Sequence, residues 1–198
     1  MWLLPLVLAG GLGMAPAPSP ERLLYPTQVE RLQRCRTPDM PSTEAELNAA
    51  RQRAGQRQVW FRPPAESLRG ACAWNDPKYP VLVRAAQEFE AGLRSEQAPP
   101  APVSVTLWAP IRDFQEVGQW QAWLVLRDGF GNEVLRWKPR TGMNRQLVPG
   151  MGMSMLIFDS PTEAQRALVR RATVLWVEVD WGDGRPPVRY NTASLPGF

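Results

Sequence analysis

The chain has 198 residues, room for one ample domain or two small ones, and its 44% hydrophobic and 21% charged residues exclude wholesale disorder. It contains no histidine, which removes every His-based triad, His-metal site and His general base. Net charge is +4, but residues 1–100 carry 12 basic and 10 acidic side chains and residues 101–198 carry 11 and 9. The excess is spread evenly, so no basic tail or face points to nucleic acid. The short clusters Arg31/Arg34/Arg36, Arg51/Arg53/Arg57 and Arg166/Arg170/Arg171 fall in segments with helical patterning, where a solvated face accounts for them.

Met1–Met14 is an apolar run followed by Ala15-Pro16-Ala17-Pro18. Its length suits the core of a signal peptide and falls short of the roughly 20 residues a membrane span needs. Residues 1–17 are therefore expected to be a signal peptide, with an uncleaved N-terminal anchor as the alternative and the one route to a membrane. Either way the protein is expected to be exported, periplasmic or extracellular. In that compartment Cys35 and Cys72 are expected to form one disulfide. Two buried free thiols, or half of a metal site, are the alternatives.

Residues 21–97 have mainly helical patterning. Thr27-x-x-Glu30 reads as a capping box that starts a helix with Val29, Leu32 and Cys35 on one side. Thr43-x-x-Glu46 is a second box, ahead of Leu47, Ala50 and Ala54. Asp76-Pro77 is a third start, with Val81, Ala85, Phe89 and Leu93 repeating every four residues. Trp60, Phe61 and Trp74 are expected to complete this small core or to dock it. Residues 98–102, within the run Ala98-Pro99-Pro100-Ala101-Pro102, form a stiff connector.

Residues 103–198 change to period-two alternation. Val103–Trp108, Trp120–Arg127, Glu133–Lys138, Met151–Phe158, Ala172–Trp181 and Val188–Asn191 are predicted strands, with Asp128–Asn132 and Gly182-Asp183-Gly184 as turns. Ser160-Pro161-Thr162-Glu163 is expected to start a short helix. The architecture expected is α+β: a small helical, disulfide-linked N-terminal part followed by an antiparallel β-sandwich of immunoglobulin-like form. Val179-Asp180-Trp181-Gly182-Asp183-Gly184 is similar to the W-x-x-G-D-G-type turn of PKD-like extracellular β-sandwich domains. In that family several strands follow the motif, whereas fourteen residues follow Gly184 here, so the resemblance implies no function.

The chemistry-bearing patterns are few. No P-loop or Rossmann glycine pattern follows the N-terminal segment, and Lys78 and Lys138 lie in no serine–lysine signature. Asp113/Glu116 and Glu178/Asp180/Asp183 are the carboxylate groupings that acid–base hydrolysis would use; turn-forming and polar strand roles account for them equally. Asp180 and Asp183 lack the density of a calcium loop. Met151, Met153 and Met155 point to one side of a strand, with Met143 eight residues upstream. Thioethers are soft ligands that select Cu(I), and methionine is also an adaptable core filler. By alternation Trp108, Trp123 and Trp176 fall on polar strand faces, Trp123 with Gln121 and Arg127 and Trp176 near Glu178 and Asp180. There indoles either pack across strands, with Arg127 or Arg136 as cation–π partners, or grip a sugar or a protein. The functional expectation is an exported, non-enzymatic binding or scaffolding protein of the cell envelope without a cofactor. Its partner would be a protein or a glycan, held by Trp108, Trp123, Trp176 and Arg127 or in the groove between the two parts. The alternatives are copper binding through Met151, Met153 and Met155, and a carboxylate-dependent hydrolase at Asp180/Asp183.

Overall fold

The computed structural model describes residues 18–37, 56–73, 75–95 and 101–195. The N-terminal apolar run, the Thr43/Glu46 box, Trp74 and most of the Pro-rich connector lie outside the described residues. Eight strands form two antiparallel four-stranded sheets. The first sheet runs β1 (Gln58–Arg62), β2 (Val103–Pro110), β6 (Met151–Phe158), β5 (Thr141–Val148) in spatial order. The second runs β4 (Glu133–Trp137), β3 (Gln121–Arg127), β7 (Val174–Asp180), β8 (Val188–Asn191).

Alternation decides what lies between the sheets. Val103, Val105 and Leu107 of β2 meet Leu124 and Leu126 of β3 and Leu175, Val177 and Val179 of β7 in one buried cluster. Trp120 and Trp181 close one end of this core edge to face, with ring centroids 5.3 Å apart. A short 3-10 helix, Phe114–Gln119, seats Val117 there; Asp113 and Glu116 are its reciprocal cap.

The N-terminal part is built around helices α1 (Pro20–Leu24), α2 (Gln28–Arg36) and α3 (Pro80–Arg94). The Thr27/Glu30 capping box starts α2. Cys35 and Cys72 form a disulfide with Cα atoms 5.0 Å apart, beside Leu68, Leu93 and Leu32. Glu90 of α3 binds Arg36 of α2 and Arg94, and those two hydrogen bonds, Arg36 first, pull its carboxyl down to about 2. The part is docked through α1. Leu24 joins the sandwich core, and Glu21 pairs with Arg166 and Arg170 of α4 (Arg166–Arg171) at 3.2 and 2.8 Å.

Four local expectations differ from the structure. Strand β1 lies inside the segment read as helical and belongs to the sandwich. It is five residues long and gains its ladder from β2, far along the chain. Helix α3 starts at Pro80, because the Asp76 carboxylate accepts the Lys78 backbone N–H in a turn ahead of it. Its buried residues are Ala86 and Leu93, while Val81 and Phe89 of the expected stripe stand 78% and 44% exposed. The short helix after β6 is capped by Thr162 with Gln165, because the Ser160 hydroxyl donates instead to the Ala101 carbonyl.

Candidate functional site

The second sheet turns Trp123, Val125 and Arg127 of β3 and Trp176 and Glu178 of β7 away from the core, by the same alternation that buries Leu124 and Val177. Register then brings separate strands together. Trp123 stands opposite Glu178, Val125 opposite both Trp176 and Arg136, and Glu178 opposite Arg189. Trp123 and Trp176 are thus diagonal neighbours, both half-buried, with Val125 fully covered between the strands.

Glu178 is the centre of this face, with only 4% of the residue exposed. Its carboxylate takes Arg136 at 2.7 Å, Arg189 at 2.8 Å and Arg127 at 3.5 Å. Arg136 also holds Glu133 through two hydrogen bonds of 2.9 and 2.8 Å, a fork-to-fork pair. Burial pushes the Glu178 carboxyl up, but the hydrogen bonds and charges of Arg136 and Arg189 outweigh it and hold the group below the ordinary range. The Arg136 hydrogen bonds hold Glu133 down as well. The β3–β4 turn completes the arrangement: Asp128 accepts the N–H groups of Phe130 and Asn132, Gly131 takes φ +83, and Arg127 donates to the Gly131 carbonyl at 2.7 Å. Beside Trp123 a cleft of about 170 Å³ opens between Gln121, Lys138 and Pro139. The result is a fixed surface of two indoles and three guanidinium planes, suited to stacking and planar hydrogen bonding.

Trp108 is not on this face. It sits on β2, in the other sheet, and points to that sheet's outer side, where it is 2% exposed among Met151 and Met153 and 6.0 Å from the Trp60 ring. The expected set of three tryptophans is therefore split between the two opposite outer faces of the sandwich. Met151, Met153 and Met155 also lie on the outer side of the first sheet. Between them, Gly152 faces Val117 and Ile111, and Leu156 and Phe158 join the core.

The remaining carboxylates hold structure in place. Asp113 and Glu116 cap the 3-10 helix, and Asp180 accepts the Gly182 N–H. Asp183 binds Arg57 at 2.6 Å, which holds its carboxyl low. Arg57 also covers the Trp181 ring at 5.1 Å, over a pocket of about 340 Å³ that Arg112 and Trp120 share. No group of three Cys, Asp or Glu side chains that would hold a metal ion occurs among the described residues. Between the helical part and the sandwich runs a groove of about 460 Å³ lined by Tyr25, Pro26, Pro64, Pro161 and Arg166, where the Tyr25 hydroxyl donates to the Thr162 carbonyl at 2.8 Å.

The sequence reading placed neither Arg136 nor Arg189 in the binding site. Each is an ordinary polar residue of a predicted strand, and pairing register alone brings it to Glu178. Compared with known proteins, the chain matches no family model, no curated protein and no solved structure.

Proposed function

We propose that this is an exported, non-enzymatic binding module of the cell envelope, and that it holds its partner on the outer face of the second sheet through Trp123, Trp176 and Arg127, with Arg136 and Arg189. The observation that carries the reading is the buried Glu178, which fixes three arginines beside two outward indoles on one flat surface. Tryptophan and arginine supply most of the binding energy at such surfaces, and pre-fixed side chains lose little entropy on binding. Trp108, on the opposite face, has no part in it.

Two further observations support the setting. The disulfide suits an oxidising compartment, and no described helix is long and apolar enough to cross a membrane. The spatial orders β1-β2-β6-β5 and β4-β3-β7-β8 follow the A-B-E-D and C′-C-F-G arrangement of immunoglobulin-like sandwiches, which supports that finer assignment of the fold.

The partner is an envelope glycan or an envelope protein, and the test separates them. The purified protein is sedimented with cell-wall sacculi, and in parallel a photo-reactive group at exposed Gln121 is crosslinked in intact cells. Trp123→Ala and Trp176→Ala are each expected to weaken retention or crosslinking by roughly tenfold, the effect of removing one aromatic anchor. Retention and crosslinking both unchanged in the double variant would overturn the assignment.

A further inference from the structure

We infer that the outer face of the first sheet carries a monovalent soft-metal site, a Cu(I) or Ag(I) site made by the thioethers of Met143, Met153 and Met155 beside the indole of Trp108. This goes beyond the proposed binding face and is independent of it, since the two lie on opposite sides of the sandwich.

The argument starts from strand register. In the β5–β6 ladder Met143 stands directly opposite Met155, and in the β2–β6 ladder Trp108 stands directly opposite Met153. Directly opposed residues have Cβ atoms about 5 Å apart, and positions 153 and 155 are same-side neighbours roughly 7 Å apart along one strand. An unbranched thioether arm spans those gaps, so three sulfurs can converge on one ion. Met143 is 40% exposed and Met155 is half-buried, whereas Met153 is 4% exposed against Trp108. An ion therefore has a route from solvent past two ligands to the third.

The donor set selects the metal. Three neutral sulfurs, with no group of three Cys, Asp or Glu side chains able to hold a metal ion among the described residues, offer nothing to Ca²⁺ or Mg²⁺ and little to Zn²⁺. They match Cu(I) and Ag(I), for which thioether sulfur is a preferred ligand. A +1 ion adds little charge to a site of low polarity, and an indole face attracts a cation within about 6 Å. Arg145, exposed and directly opposite Met153, is a neighbouring charge that opposes a cation. Neutralising it is expected to strengthen binding.

The test uses the full chain with its disulfide intact and Ag(I) as a redox-inert probe, titrated without reductant so that no thiol competes. The expected result is one equivalent bound, with tryptophan emission quenched as the ion approaches Trp108. Met143→Leu and Met155→Leu, which conserve volume and leave the fold's melting temperature unchanged, are expected to weaken binding by roughly tenfold or more, since each removes one of three ligands. Arg145→Gln is expected to tighten it, and Met151→Leu, outside the trio, to leave it unchanged. No stoichiometric Ag(I) uptake by the wild type, or equal uptake by the Met143→Leu/Met155→Leu double variant, overturns the inference.

Discussion

Replacing Glu178 with glutamine tests the arrangement on which the proposed binding face depends. The side chain keeps its volume and one acceptor oxygen, but three guanidinium groups then face a neutral amide. Two short charged hydrogen bonds are at stake, from Arg136 at 2.7 Å and from Arg189 at 2.8 Å. At roughly 1.5–3 kcal/mol each, the gross loss is about 3–6 kcal/mol. The arginines are not sealed in: their side chains are 34% and 57% exposed. Water therefore recovers about half of that loss, leaving an expected destabilisation of about 1.5–3 kcal/mol. For a chain of this size this corresponds to a fall in melting temperature of roughly 5–10 °C.

The pH dependence isolates the cause. Because the folded-state carboxyl of Glu178 is held low, its contribution is complete above the unfolded value of about 4.3 and is lost as pH falls through the folded value. Wild type and variant should thus differ most near neutrality and converge on acidification. Thermal and urea unfolding followed by circular dichroism across pH, with the disulfide intact, measures both quantities. A melting temperature within about 1 °C of wild type at about pH 7, or a deficit undiminished at about pH 3, would refute the reasoning.

Two further perturbations probe the frame. A Cβ added at Gly152 would stand 3.0 Å from Ile111 and 3.1 Å from Trp120, and closer still to Val117. Gly152→Ala is therefore expected to cost about 1–3 kcal/mol in urea unfolding, with Val117→Ala in the same chain restoring part of it; a neutral Gly152→Ala would mean that the 3-10 helix is loosely seated. Replacing Cys35 and Cys72 with serine opens a covalent loop with a sequence separation of 37, which is expected to cost up to about 4 kcal/mol. Amide exchange should rise in α2 and α3 while β2, β3, β6 and β7 stay protected, and uniform loss of protection would show that the helices and the sandwich unfold as one.

How far the sequence foretells this molecule depends on the range of the signal. Alternation in Trp120–Arg127 and Ala172–Trp181 separates core from outer residues, and the Thr27/Glu30 box marks the start of α2, because both are carried by near neighbours. Alternation assigns a side within a strand but not a sheet. For that reason Trp108 looks equivalent to Trp123 and Trp176 until pairing places it elsewhere. Strand β5, Thr141–Val148, has mostly polar or small residues on both sides and shows no alternation, as an edge strand permits. The Pro149-Gly150 step before Met151, with Gly150 at φ +75, is the local mark of its hairpin. The Arg136–Glu178 contact spans 42 positions, a distance at which no local pattern reports.

The placement of β1 bears on the order in which the chain can assemble. This strand emerges from the ribosome, or across a membrane, well ahead of β2, its only neighbour in the sheet among the described residues. Strand β2 in turn waits for β6, so the first sheet cannot close until most of the chain is out. Both cysteines are available long before then, on either side of β1. Oxidation can therefore tie this unpaired edge strand into a covalent loop while it still has no partner. A strand held in that way is less free to pair with a second nascent chain, and disulfide formation would act as a guard against strand exchange during assembly.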